Sequence, residues 1–263
     1  MNRIEARVWT ALAGIPVVLL LVWAGGWYFR GFCLLLALIG LRELQRAIKS
    51  SGDYGRAPLI GEVAYPATVC AVIFGYSALW AITTLMALGV LAVIFGGRTE
   101  EQGPRISLAS LCTTLFCTFY VSLFSLLPAL RSANEGKWFW LVLLLVWTGD
   151  TLAYYGGKRF GRNLLSSLSP KKTREGFLIG LFATTFAAPI LAHFFGLPLE
   201  RSVLLGAVVG LAAPCGDLLE SFFKRELGVK DLGGLLPGHG GVLDRCDSIL
   251  FAAFAALLVL GAG

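Results

Sequence analysis

Charge is scarce in this sequence. Only 14% of its 263 residues are charged, while 57% are hydrophobic. A water-soluble domain of this length could not cover its surface with so little polar material. Histidine occurs twice, at His193 and His239, and none of the six cysteines forms a C-x-x-C pair. Most of the cysteines lie inside apolar runs as small hydrophobes, so neither a disulfide framework nor a zinc site is indicated. The alternating apolar and polar pattern of a membrane barrel is missing. There is no internal repeat, low-complexity tract or long linker. No small-residue cleavage site follows the first apolar run behind Arg3 and Arg7, which reads as a retained first span and not as a signal peptide.

What is present is a succession of apolar runs, each long enough to cross a hydrocarbon core of about 30 Å. The fold class is therefore all-α, a polytopic integral membrane protein. Nine spans are expected, at roughly 8–25, 27–42, 59–76, 78–96, 106–130, 138–156, 176–196, 202–223 and 247–262. The second is short and reads as tilted or partly re-entrant. With this layout, 18 of the 22 lysines and arginines fall on one side. The positive-inside rule makes that side cytoplasmic, with the N-terminus inside and the C-terminus outside. The formal net charge of +6 is thus a topology signal and points to no nucleic-acid partner. Residues 1–135 read as a transmembrane scaffold. Residues 136–263 read as the catalytic region, since they hold nearly every polar group that sits oddly at membrane depth.

Three stretches of that region could carry chemistry. In CGDLLESFFKR, Asp217, Glu220, Ser221 and Lys224 fall on one helix face. A carboxylate in lipid costs at least roughly 2.5–3.5 kcal/mol, so it must meet a polar interior, a metal or a partner. A structural Asp–Lys pair between helices is the plainer alternative. Asp244 and Asp247 open the ninth span at the same spacing of three. If the intervening loop folds back, they meet Asp217 at the membrane edge, where three carboxylates would bind one Mg²⁺, or two cations, that keeps waters and phosphate oxygens as further ligands. Their plainer alternative is N-capping of the last helix. Lys224, Arg225, Lys230 and Arg245 suit a phosphate-rich substrate, or simple retention beside anionic lipid headgroups. His239 lies among glycines in PGHGG, where backbone N–H groups can approach phosphate oxygens; His193 reads as structural. Asp150 and Tyr154 are four apart near the end of the sixth span. After them, Lys171, Lys172 and Thr173 form a basic, hydroxyl-bearing turn at a helix N-terminus, a natural anion cradle.

Taken together these stretches resemble the phosphatidate cytidylyltransferases, also called CDP-diacylglycerol synthases, of bacterial type. The family's long C-terminal pattern is matched by Ser221, Phe223, Lys224, Arg225, Lys230, Asp231, Pro237, His239, Gly240, Gly241, Val242, Asp244, Arg245 and Asp247. Its S-P-K-K-T-x-E-G stretch matches Ser169 to Gly176, and its G-D-x-x-A-Y-x-x-G stretch matches Gly149 to Gly157. Cys246 stands where an apolar residue or Thr is usual, and Arg174 fills a slot often aromatic or apolar. Neither replaces a charged motif residue.

The resemblance implies transfer of CMP from CTP to phosphatidic acid in a bacterial inner membrane, at the cytoplasmic face, by a homodimer among membrane lipids. It implies Asp217, Asp244 and Asp247 as ligands of Mg²⁺. Lys224, Arg225, Lys230 and Arg245 would hold triphosphate or lipid phosphate, while His239, Gly240 and Gly241 position the pyrophosphate and Asp231 orients a basic neighbour. Asp150, Tyr154, Lys171, Lys172, Thr173, Glu220 and Ser221 would complete the substrate site. Two rival functions fit a polytopic membrane protein with acids in its spans. An ion-coupled transporter predicts internal repeats and acids near the bilayer midplane, which are not found. A CTP-dependent enzyme acting on an isoprenoid lipid is disfavoured by the long motif.

Overall fold

A computed structural model of the chain describes residues 3–51, 69, 108–235 and 240–261. The expected third and fourth spans lie almost wholly outside the described residues, and so does His239. Among the described residues the structure is helical, with no strand. Three helical segments there are long and apolar enough to cross a membrane: Cys112–Phe160, Arg174–Phe195 and Leu199–Glu226. The chain divides into two compact units, one of residues 1–129 with 227–243 and the other of residues 130–226 with 244–263.

In the first unit, α1 (Arg3–Ala24) passes through Gly25, at φ 60°, into α2 (Gly26–Ser51). Helix α2 is longer than the short, tilted span expected from hydropathy. Phe29, Cys33, Ala37, Leu41, Leu44 and Ile48 recur every three or four residues and are buried, so one apolar face runs on beneath the charged stretch. Arg46 and Lys49, which lie beyond the second span expected at 27–42, are therefore helical. The Ser50 and Ser51 hydroxyls donate to the carbonyls of Ala47 and Ile48, where the helix ends. This unit also contains α3 (Leu108–Ser122), after which a single 3₁₀ turn leads into α4 (Leu126–Ser132), whose last residues belong to the second unit.

The second unit is built on α5 (Lys137–Phe160), α6 (Arg174–Phe195), α7 (Leu199–Glu226) and α8 (Leu243–Leu260), whose first residue, Leu243, belongs to the first unit. Helix α5 begins after a left-handed turn at Asn134, Glu135 and Gly136, with φ of 46°, 56° and 86°. The Arg131 guanidinium donates to the Glu135 carbonyl at 3.1 Å there. Helices α5, α6 and α7 pack through small residues. A methyl group at Gly176 would stand 2.6 Å from the Ala153 carbonyl oxygen, and one at Gly206 would stand 2.6 Å from the Thr184 carbonyl oxygen. Such close approach suits helices that associate in lipid, where shape fit replaces hydrophobic drive. The opposite face of α6 exposes Phe182, Phe186, Ile190 and Phe194. An exposed apolar stripe of this kind matches acyl chains as solvent.

Candidate active site

The polar turn between α5 and α6 is the first piece of the site. Thr173 caps α6, its hydroxyl oxygen accepting from the Gly176 N–H at 3.1 Å. The turn closes as a tight hairpin: Leu165 N–H donates to the Lys172 carbonyl at 2.9 Å, and Lys172 N–H donates to the Ser169 carbonyl at 3.0 Å. Glu175, on the first turn of α6, accepts from the backbone N–H groups of Arg162 and Asn163 and from the Asn163 side-chain amide at 2.8 Å. An anion at a helix N-terminus is favourable in its own right. This one also clamps the start of the hairpin to its end.

The hairpin closes over a cavity of about 570 Å³ lined by α5, α6 and α7. Asp150, Tyr154, Lys158, Ser169, Lys171, Lys172, Thr173 and Asp217 line its polar part, and Leu145, Leu181, Val209 and Ala213 are among the residues of its apolar part. Lys172 makes an ion pair with Asp217, whose carboxylate also accepts from the Ser221 hydroxyl at 3.4 Å. Asp150 lies within Coulombic reach of Lys172, Asp217 and Asp247.

One to two turns along α7 from Asp217 is a second set of charges, this time buried. Lys224 donates to Asp244 at 2.8 Å and to Glu220 at 3.3 Å. The Asp244 and Glu220 side chains are only 3% and 1% exposed, so this ammonium offsets two desolvated carboxylates at once. Helix α8 reaches these groups because Gly216 lets it approach: a methyl group there would stand 3.0 Å from the Phe251 ring, and closer still to the Asp247 carbonyl oxygen. Asp247 lies close to the carboxylates of both Glu220 and Asp217. Its own Oδ1 accepts from the Ser248 N–H at 2.7 Å. Glu220 Oε2 is buried with no hydrogen-bond partner. Carboxylates held this close repel unless positive charge lies between them or one of them keeps its proton; Lys224 supplies part of that charge, and a bound cation could supply more. Among the described residues, however, no three acidic, histidine or cysteine side chains are grouped as ready-made metal ligands. Asp217 and Asp244 are instead each paired with a lysine.

The cytidylyltransferase family model matches residues 5–262. The chain belongs to the cytidylyltransferase family. It is 34% identical over 254 residues to a phosphatidate cytidylyltransferase of Staphylococcus aureus, covering 94% of this chain and 95% of that protein. It is 30% identical over 273 residues to the phosphatidate cytidylyltransferase of a Synechocystis species, covering 94% and 93%. Similarity extends to the chloroplastic phosphatidate cytidylyltransferase 4 of Arabidopsis thaliana, at 33% identity over 92% of this chain and 69% of the plant protein.

In this cytidylyltransferase the second unit brings together Asp150, Tyr154, Lys171, Lys172, Thr173 and Asp217 on one cavity, and Glu220, Lys224, Asp244 and Asp247 in one charge cluster. Arg225 and Arg245 belong to the same unit and are exposed. Lys230 and Asp231 are exposed on the first unit, where Gly240 is half-buried and Gly241 is buried. Two acids escaped the sequence reading. Glu175 sits inside a quoted motif but was given no role, although its position two residues after a capping Thr marks it as a first-turn anion. Glu43 lies one residue past the expected second span, and nothing in its local sequence marks it. It is 4% exposed, and its carboxylate accepts from the N–H groups of Val242, at 2.9 and 3.1 Å, and Leu243, at 3.2 Å. The capping duty considered for Asp244 and Asp247 is met there by Glu43, and Asp244 bonds Lys224 instead.

Proposed function

We propose that this chain transfers the cytidylyl group of CTP to phosphatidic acid, giving CDP-diacylglycerol and pyrophosphate. The observation that carries this reading is the convergence of Lys171, Lys172 and Thr173 with Asp150 and Asp217 on one cavity that has a cationic polar end and an apolar end. Both reactants are anions, and one of them carries hydrocarbon chains. Family membership and the names of the three relatives agree with that chemistry.

In the reaction a phosphate oxygen of the lipid forms a bond to the α-phosphorus of CTP. The bond from that phosphorus to the bridging oxygen of the β-phosphate breaks, and pyrophosphate departs with the electron pair. The attacking phosphate is already ionised near neutral pH, so no general base is needed. The protein's task is charge neutralisation and alignment. Lys172 and Lys224, now paired with carboxylates, exchange those partners for phosphate oxygens, to which an ammonium makes charge-assisted contacts of the same kind. Arg225, Lys230 and Arg245 supply further positive charge, with His239, Gly240 and Gly241 at the pyrophosphate. Asp217, Asp244 and Asp247 would hold Mg²⁺, with Glu220 beside them. Magnesium takes one or two carboxylates together with waters and phosphate oxygens rather than a closed protein cage, so a cluster without three converged ligands suits it. When bound, the cation would supply positive charge against the phosphate charge that accumulates in the reaction.

The same reading puts nine spans in a bacterial inner membrane, with the site at the cytoplasmic face and the protein a homodimer. The lipid would enter sideways from the bilayer, which accounts for a site at the membrane edge. Purified protein given labelled CTP, phosphatidic acid and Mg²⁺ should release pyrophosphate and make CDP-diacylglycerol. Chelation should stop the reaction and added Mg²⁺ restore it. Asp217→Asn or Asp244→Asn should abolish product in a protein that still folds. Activity retained by either variant refutes the metal assignment, and no product from the wild type refutes the reaction.

A further inference from the structure

We propose that Glu43 is a positioning residue for the reaction, holding the glycine segment Gly240–Gly241 in place through the backbone N–H groups of Val242 and Leu243. The inference rests on the cytidylyl-transfer reading above and adds to it a residue of the N-terminal helices.

Leu243 is the first residue of α8, and the N–H groups at a helix start have no partner within the helix. A side chain 200 positions earlier in the chain meets one of them and that of the residue before it. Burying a carboxylate is costly unless hydrogen bonds and positive charge compensate it. Two N–H groups at the positive end of a helix do both. A second part of the same segment closes on the same side chain: a methyl group at Gly233 would overlap the Glu43 carboxylate. One turn earlier on α2, Gly40 lies against Leu243, where a methyl group would stand 2.9 Å from Cγ. Gly233 thus lies against the same carboxylate that bonds the Val242–Leu243 pair. Gly240 is held at φ +90°, a conformation open to glycine. A structural filler here would need only volume, which leucine or methionine supplies. A carboxylate adds what volume does not: acceptor oxygens that fix the direction of the Val242 and Leu243 N–H groups, and with them the adjoining peptide planes of Gly240–Gly241.

The experiment uses the full-length protein in detergent. It measures kcat and KM for CTP at saturating phosphatidic acid, thermal stability, and amide exchange across residues 240–248, for Glu43→Gln, Glu43→Asp and Glu43→Ala. Gln keeps the volume but turns an N–H donor toward one of the N–H groups. The expected result for Glu43→Gln is a KM for CTP raised about tenfold or more, kcat within about threefold, and faster exchange of the amides near residue 242. Asp should recover part of the loss, since it keeps the charge with a shorter reach. Should Ala fail to fold, Gln and Asp carry the test. A Glu43→Gln variant whose KM for CTP and amide exchange both match the wild type overturns the proposal. So does one that loses thermal stability while each folded molecule keeps its kcat/KM. Should the wild type itself make no product, the reaction assignment falls, and unchanged exchange in Glu43→Gln remains the result that overturns the role of Glu43.

Discussion

Lys224→Met offers the sharpest test of the charge cluster, because it removes one ammonium from between two desolvated carboxylates and leaves the volume nearly unchanged. The bonds are 2.8 Å to Asp244 and 3.3 Å to Glu220. At an effective dielectric of about 20 the gross attraction is about 6 and about 5 kcal/mol respectively. Most of that is offset by the cost of desolvating the three groups. Breaking such a pair from one side typically costs about 3–5 kcal/mol, since the partner charge stays buried and uncompensated. The expected fall in melting temperature is of order 10 °C for a chain of this size. The companion variant Lys224→Met with Glu220→Gln removes one of the stranded charges. It should recover part of the stability, giving a coupling of about 1 kcal/mol or more, yet stay inactive because the ammonium proposed to meet phosphate is gone. Thermal unfolding in detergent without substrate reads stability, and CDP-diacylglycerol formation reads activity. If Lys224→Met melts within about 2 °C of the wild type, or if adding Glu220→Gln recovers nothing, the cluster does not hold the balance of charge described above.

Thr173→Val removes the hydroxyl that caps α6 while keeping the shape. It should cost about 1 kcal/mol and loosen the hairpin bearing Lys171 and Lys172, seen as a lower melting temperature together with a higher KM. Gly176→Val places a side chain against the Ala153 carbonyl oxygen and should destabilise the α5–α6 pair by about 1–3 kcal/mol, measured by unfolding. An unchanged melting point would mean that the two helices are farther apart than described.

The membrane class, the helical fold and the motif residues were all legible in the sequence, because each depends on local chemistry. Apolar run length sets whether a helix can span lipid, and the ends of α5, α6 and α7 fall within a few residues of those expected from hydropathy. The helix-face argument likewise placed Asp217, Glu220, Ser221 and Lys224 together, and the structure links Ser221 to Asp217 and Lys224 to Glu220. Hydropathy misjudged α2, whose buried stripe runs beneath a charged surface that a window average dilutes. What the sequence could not decide was which opposite charge each group meets. Lys172 might have paired with any acid, and the fold gives it Asp217, 45 positions away in the chain. Asp244 might have capped its own helix, but Glu43 occupies the N–H groups there, and Asp244 turns to Lys224. Local sequence determines which residues are polar at membrane depth. Their partners depend on how closely the glycine-lined helices approach, and that distance is a property of the packed chain alone.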